Sequence, residues 1–177
     1  MTPQQPTTDP ADGTVEHRDG RTILRYERRL GHPVDEVWRA ITEPARLREW
    51  LADADVDLTE GGAVQLRWLN TDDEGNRAVM DATVTALEPP HVLELSGDPH
   101  GVLRFELSEH DAGTRLVFTV SRPTDDAVDL VLPGWHIHLE HLADALDGRP
   151  VDWARWDRDH RPRWGELRDA YAAREGF

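Results

Sequence analysis

Three histidines cluster in the segment GWHIHLEHLADALDG, residues 134–148. Imidazole nitrogens are common zinc ligands, and two of them four residues apart on one helix face could share an ion. Here the apolar residues follow a helical period, so that His136 and His138 flank the apolar stripe on opposite sides and His141 points nearly away from it. The sequence therefore predicts no metal site and no cofactor, and His138 is the histidine best placed to hydrogen-bond a ligand.

The residue types that usually form covalent intermediates are scarce in this chain. It has no cysteine, and all 20 basic residues are arginine. Thiol nucleophiles, disulfides and thiolate metal sites are therefore excluded, as are Schiff-base chemistry and a P-loop lysine. No Ser-His-Asp ordering and no glycine-rich phosphate loop is evident in the sequence.

Carboxylates are abundant, with 35 acidic residues, but their spacing does not suggest general acid–base catalysis. In the predicted strands, Asp81, Glu94 and Glu106 fall on the outward faces. Arg28 is the odd charge on a predicted inward face; it could pair with a ligand carboxylate or reach solvent from a frayed strand end. The sequence favours binding over catalysis and leaves an enzyme as an open alternative.

Composition narrows the class of protein further. A length of 177 residues suits one domain, and a net charge of −15 disfavours nucleic-acid binding. No apolar run approaches the roughly 18 residues of a membrane span, and the N-terminus lacks an apolar signal region. Residues 1–20 are rich in Pro, Thr and Asp, which is typical of a disordered tail. We expect a soluble, cytoplasmic protein.

The elements that would position a site begin after this tail. Alternating apolar and charged residues predict a half-buried strand from Thr22 to Leu30. The segment PVDEVWRAITEPARLREWL, residues 33–51, then predicts two short helices that meet at Pro44 and carry Trp38 and Trp50. Helices this short are marginal alone. Both tryptophans should therefore pack against a larger element.

That larger element is a series of short strands with an apolar period of two, between residues 56 and 120. Turn sequences separate the strands: NTDDEGN at 70–76, EPP at 88–90, GDPHG at 97–101 and EHDAGT at 109–114. With a short piece at Val56–Leu58, the count is seven strands. The short connections predict an antiparallel meander with one apolar face.

A long helix should cover this apolar face: its apolar stripe begins at Val128 and Leu132, and its part at 134–147 should pack on the sheet. Pro133-Gly134 should kink the helix or start it afresh, and Gly148 should end it. Residues 149–177 are predicted to be a C-terminal extension that ends in a short helix packed on the domain. The apolar positions of these two helices are Trp135, Leu139, Leu142, Leu146, Trp164, Leu167 and Tyr171.

One strand, two short helices, six more strands and a long terminal helix is the order of the START-like, or SRPBCC, helix-grip fold. Five segments resemble that superfamily: the helix pair with a tryptophan in each helix (33–51), the double glycine of EGGAVQL (60–66), the strand-turn-strand segments VTALEPPHVLEL (84–95) and HDAGTRLVFTV (110–120), and the last helix (134–148). That last helix resembles the branch named for activators of the heat-shock-protein ATPase. The resemblance spans residues 21–148 and implies an α+β fold, a curved antiparallel sheet wrapped around a long C-terminal helix.

Members of this superfamily bind apolar small molecules between sheet and helix, and some are cyclases or aromatase-like enzymes. The resemblance implies an apolar or aromatic ligand, whose expected contacts are Trp50, Trp68, Met80, Phe105, Phe118, Trp135 and Leu139, with His138 and Arg28 as polar contacts. Alternatively, these side chains fill the core and leave no cavity. A chaperone-interacting protein and a cyclase- or hydrolase-like enzyme stay open as other functions, and the protein is expected to be a monomer or a homodimer.

Overall fold

The computed structural model describes residues 11–174. These residues form one eight-stranded antiparallel sheet, two helices between its second and third strands, a long helix after its last strand, and a C-terminal segment. The strands are β1 (Thr14–Arg18), β2 (Arg21–Leu30), β3 (Ala52–Val56), β4 (Ala63–Trp68), β5 (Val79–Glu88), β6 (Val92–Asp98), β7 (Gly101–His110) and β8 (Gly113–Arg122). The helices are α1 (Val34–Thr42), α2 (Pro44–Leu47), α3 (Val128–Leu146), α4 (Trp156–Asp159) and α5 (Arg161–Ala172), with a 3₁₀ turn at Trp153–Arg155.

The sheet runs in the order β1-β2-β8-β7-β6-β5-β4-β3. Strands β3 to β8 form the predicted meander. The earlier strand β2 pairs with β8, the last strand of that meander, and Tyr26 lies opposite Phe118 there. The glycine pair of EGGAVQL makes an irregular entry to β4, because Gly61 has a positive φ of 78° and the Gly62 carbonyl accepts a hydrogen bond from Val84 N. The predicted helix-grip fold is confirmed, with eight strands rather than seven.

The additional strand is β1, which overturns the predicted disordered tail for residues 14–18. Its sequence, TVEHR, offers only one large apolar residue, Val15, and therefore lacks the alternation that marks a half-buried strand. Backbone pairing with β2 creates it, with Val15 opposite Leu24. An edge strand can remain polar because it has one strand neighbour and an open side. Residues 1–10 of the predicted tail lie outside the described part of the chain.

The helix pair forms as predicted, and both of its tryptophans are buried. Helix α1 ends before Pro44, which starts α2. Trp38 is 8% exposed, and Trp50 is fully buried with its indole N–H donating to the Ala40 carbonyl at 2.8 Å. Trp50 thus connects the end of α2 to α1 and satisfies its own polar atom inside the core.

Helix α3 covers the apolar face of the sheet, and both Leu139 and Leu142 are completely buried. It begins at Val128, where the predicted apolar stripe begins, and continues through Pro133, so the alternative of a fresh start at Pro133-Gly134 is wrong. The C-terminal segment then packs on the other side of α3. A second apolar cluster forms there from Ile137, Trp156 and Leu167. No helix within residues 11–174 is long and apolar enough to cross a membrane.

Candidate functional site

A pocket of about 410 Å³ lies beside the first half of α3. One wall comes from the end of β4 and the hairpin that follows it, and the opposite wall comes from the C-terminal segment. Its lining residues are Trp68, Asn70, Thr71, Asp72, Asp73, Asn76, Arg77, Ala78, His100, Leu130, Val131, Gly134, Trp135, His138, Trp156, Arg161 and Trp164. The pocket therefore combines an aromatic interior with a polar hairpin.

Three aromatic rings form a contiguous group in the lining. Trp68 and His100 stack with their ring centroids 4.6 Å apart and their planes 25° apart. The Trp135 ring meets both edge-on, at centroid distances of 5.9 Å from Trp68 and 5.8 Å from His100. Stacked and edge-to-face contacts are the preferred geometries of aromatic pairs, so this arrangement needs no ligand to hold it. It presents ring faces and edges that can accept another flat ring.

His138 contributes a polar group to the same pocket. Its Nδ1 lies 3.1 Å from the Trp50 carbonyl oxygen, and the residue is 4% exposed. Burial lowers the pKa of His138 to about 4, an effect that the hydrogen bond to Trp50 opposes and the nearby His100 reinforces. The imidazole is therefore neutral near pH 7.

Two more polar atoms in the lining are buried without a hydrogen-bond partner among the described residues, His100 Nε2 and Asn70 Oδ1. Burial also lowers the pKa of His100 to about 4, with a smaller contribution from Arg122. Buried polar atoms without partners cost about 1–3 kcal/mol each. Such atoms are expected where a protein reserves hydrogen-bonding capacity for a ligand or ordered water.

The C-terminal segment closes the pocket from outside. The Trp156 indole N–H donates to His141 Nε2 at 3.1 Å, which fixes this tryptophan against α3. Arg161 reaches across to the hairpin, with its guanidinium 2.8 Å from Asp73 Oδ1 and 3.1 Å from the Thr71 carbonyl oxygen. The hairpin and the segment that follows α3 are thereby joined over the pocket.

The three α3 histidines are all buried, which corrects the sequence-based geometry. His141 does point away from the sheet, but the C-terminal segment covers it, and its ring centroid is 5.7 Å from that of His138 and 4.6 Å from that of His160. Residues three apart on a helix are neighbours, so His138 and His141 do not diverge. Burial, followed by the neighbouring His138 and His160, lowers the pKa of His141 to about 2.

His136 lies in a separate polar network. Its Nδ1 is 2.7 Å from the Tyr171 hydroxyl, which also accepts a hydrogen bond from Gly13 N at 2.7 Å. Its Nε2 lies 3.3 Å from Glu140. This network connects the residues before β1 to α3 and α5. Within residues 11–174, no group of three histidine or acidic side chains is arranged to hold a metal ion.

The structure brings together three of the nine residues predicted to contact a ligand: Trp68, Trp135 and His138 line the pocket. Phe105 instead lines a small apolar cavity of about 20 Å³ between the helix pair and the sheet. The remaining five are placed elsewhere. Trp50, Met80, Phe118 and Leu139 are fully buried in the core, and Arg28 hydrogen-bonds to the carbonyls of Ala11 and Glu27.

Trp50, Met80, Phe118 and Leu139 share the inward register of the lining residues, but close packing leaves their side chains no exposed surface. Arg28 lies away from the pocket because its guanidinium donates a hydrogen bond to the Ala11 carbonyl, before β1.

Sequence reasoning missed the contributions of His100, the hairpin and the C-terminal segment. One signal was available, since Trp153, Trp156 and Trp164 stand in an otherwise polar stretch, RPVDWARWDRDHRPRW. Tryptophans in such a stretch must cover an apolar surface elsewhere in the chain.

Comparisons with known proteins agree with this architecture. The crystal structure of CalU16 from Micromonospora echinospora is 26% identical in sequence, with a TM-score of 0.71, over 92% of this chain and 96% of that chain. The structure of protein MLL2253 from Mesorhizobium loti is 28% identical, with a TM-score of 0.60, over 73% of this chain and 99% of that chain. No curated protein matches the chain. Residues 31–147 match the family described as activator of Hsp90 ATPase homolog 1-like protein. This match covers the helix pair, strands β3 to β8 and α3, and the chain therefore belongs to that family, within the START-like or SRPBCC domains.

Proposed function

We propose that this protein binds a small molecule with a flat aromatic ring in the pocket beside α3. The observation that carries the proposal is the aromatic lining, to which Trp68, His100, Trp135, Trp156 and Trp164 all contribute. Aromatic side chains offer large contact areas and favourable stacking to another ring. A volume of about 410 Å³ lies within the roughly 300–1,000 Å³ range of small-molecule sites.

The positions of polar and apolar side chains in the lining indicate which parts of the ligand are polar and which are apolar. The interior is formed by rings, whereas the hairpin contributes short polar side chains, including Asn70, Asp72 and Asn76. Asp72 accepts hydrogen bonds from the backbone of Glu74 and Asn76, at 2.9 and 2.8 Å, so its carboxylate is engaged in closing the hairpin. A ligand with an apolar ring body and one polar end matches this distribution.

A titration with two matched probes tests the proposal. 2-Naphthol, a flat bicyclic ring, should change tryptophan emission in a saturable way and raise the melting temperature, since four of the seven tryptophans line the pocket. Dodecanoate has a similar number of carbon atoms but no ring, and should bind much more weakly. Saturable binding of dodecanoate but not of 2-naphthol would contradict an aromatic site.

Three tryptophan variants, two in the lining and one control, locate the binding site. Trp135→Ala removes a ring of the lining and should weaken 2-naphthol binding about tenfold, the equivalent of about 1.4 kcal/mol. Trp153→Ala is the matched control, because Trp153 donates its indole N–H to the Arg48 carbonyl at 2.7 Å and does not line the pocket. Because Trp135 is 3% exposed and its loss could disturb the core, Trp164→Ala provides a second lining variant on a half-buried residue. Equal losses in lining and control variants would place the site elsewhere.

A further inference from the structure

We infer that the pocket selects aromatic ligands that carry a hydrogen-bond donor, and that His138 Nε2 is the acceptor responsible for this selection. The inference deepens the proposed function and depends on it, because it assigns the polar group that the ring-binding pocket recognises.

The proton position on His138 follows from its partner. The Trp50 carbonyl oxygen can only accept a hydrogen bond, so Nδ1, which lies 3.1 Å from it, must carry the hydrogen. In a neutral imidazole the other nitrogen is then an acceptor. The one hydrogen bond that His138 makes within residues 11–174 is this one through Nδ1, so Nε2 keeps its lone pair, and the residue lines the pocket. His138 therefore offers the pocket a lone pair.

Burial keeps this nitrogen an acceptor. A protonated His138 would turn Nε2 into a donor for anionic ligands, but burial opposes that form and lowers the pKa of the ring to about 4. The nearest titratable rings, His100 and His141, also have pKa values lowered by burial, to about 4 and about 2. At neutral pH an anionic oxygen placed at Nε2 would meet a lone pair and be repelled.

The ring of His138 is also held in place. Its centroid is 6.2 Å from that of Trp135 and 5.7 Å from that of His141. With the Trp50 hydrogen bond, these contacts restrict the direction of the Nε2 lone pair. A fixed lone pair beside a stack of aromatic rings matches a ligand whose O–H or N–H group lies in the plane of its own ring, as in a phenol.

Three probes with the same bicyclic ring separate the contribution of the hydrogen-bond donor to binding affinity from that of the ring. By calorimetry at pH 7.5, 2-naphthol should bind about five- to tenfold more tightly than 2-methoxynaphthalene, which keeps the oxygen but lacks the donor. 2-Naphthoate, an anion, should bind more weakly than 2-naphthol. Equal binding of 2-naphthol and 2-methoxynaphthalene would refute the inference and leave the proposed function intact. Binding of neither would refute both.

A pair of histidine variants assigns the selection to His138. His138→Phe keeps a ring among the aromatic neighbours but removes the acceptor, so the preference for 2-naphthol over 2-methoxynaphthalene should disappear. His136→Gln is the control: this histidine lies on the same helix, does not line the pocket, and belongs to the separate network with Tyr171 and Glu140. It should keep the preference. A folded His138→Phe protein that keeps the preference would exclude His138 as the acceptor. If that variant fails to fold, the comparison of the three probes on the unmodified protein still decides whether the pocket selects donors.

Discussion

Acidification from pH 7 to pH 5 should destabilise the protein, because its native state buries neutral histidines. His138 and His141 are 4% and 2% exposed, and burial lowers their pKa values to about 4 and about 2. In the unfolded chain a histidine has a pKa of about 6.5. Between these values the unfolded chain binds more protons than the native state. Stability therefore falls as pH falls through the window from about 6.5 towards 4.

The size of the effect follows from these pKa values. A histidine that stays neutral in the native state and becomes protonated in the unfolded chain lowers the free energy of unfolding by about 2 kcal/mol between pH 7 and pH 5. His138, His141 and His100, whose pKa burial also lowers to about 4, together account for about 6 kcal/mol, a large fraction of the roughly 5–15 kcal/mol that stabilises a typical domain.

Other groups act against this loss or outside this window. The hydrogen bond to Asp147 raises the pKa of His32, so this histidine favours the native state as pH falls. Hydrogen bonds from Arg115 lower the pKa of Glu27 to about 2, and those from His136 and Arg163 do the same for Glu140 despite its burial. The stability from these two carboxylates is lost only below a pH of about 4.5, where unfolded glutamates protonate.

Urea denaturation followed by tryptophan emission at pH 7, 6 and 5 measures the effect. The unmodified protein should lose about 6 kcal/mol across the range, whereas His141→Gln should lose about two-thirds as much, because it removes one of the three histidines that bind a proton on unfolding. The slope of unfolding free energy against pH is the decisive quantity, since the substitution also changes stability at pH 7. An unfolding free energy that is the same at pH 7 and pH 5 would refute the idea that these histidines are buried and neutral.

Four further substitutions, one of them a surface control, test the packing of the fold by urea denaturation at pH 7. Leu139→Ala removes a fully buried side chain between α3 and the sheet and should cost about 2–5 kcal/mol, whereas Leu130→Ala, on a residue that is 47% exposed, should cost under about 0.5 kcal/mol. Gly62→Ala should cost about 2 kcal/mol, because a Cβ there would overlap a backbone carbonyl oxygen of the preceding loop, and an unchanged midpoint would contradict that close approach. Tyr171→Phe should cost about 1–3 kcal/mol and increase hydrogen exchange at Gly13, whose N–H loses its acceptor; unchanged exchange there would show that the hydroxyl does not hold the N-terminal residues.

Much of the fold could be predicted from local patterns. The stripe of Val34, Val37, Trp38 and Ile41 defined α1, and all four residues are buried. The alternating strands from β4 to β8 were recognisable for the same reason, since each buries one face against a single neighbour, α3 or the helix pair. β1 was missed because its strand conformation comes from pairing with β2 and not from its own composition.

The candidate site was only partly predictable, for a related reason. Periodicity identified Trp68, Trp135 and His138 as facing the interior, but it assigned Met80, Phe118 and Leu139 to the same wall, where they fill the core completely. Whether an inward side chain lines a cavity or closes it depends on how side chains from several elements fit together. That packing is a property of the assembled fold and leaves no trace in the spacing of one segment.

The sequence by itself determined the order of the elements and the apolar face of each, because these depend on neighbours three, four or two positions away. Only the tertiary structure decided which polar faces are covered. His141 lies on the polar side of α3, yet it is buried and neutral because Trp156 and His160, far along the chain, pack over it. The same segment supplies Arg161 to the hairpin and closes the pocket. Contacts between distant residues set the burial of a charge-bearing group, and burial sets its protonation and its chemistry.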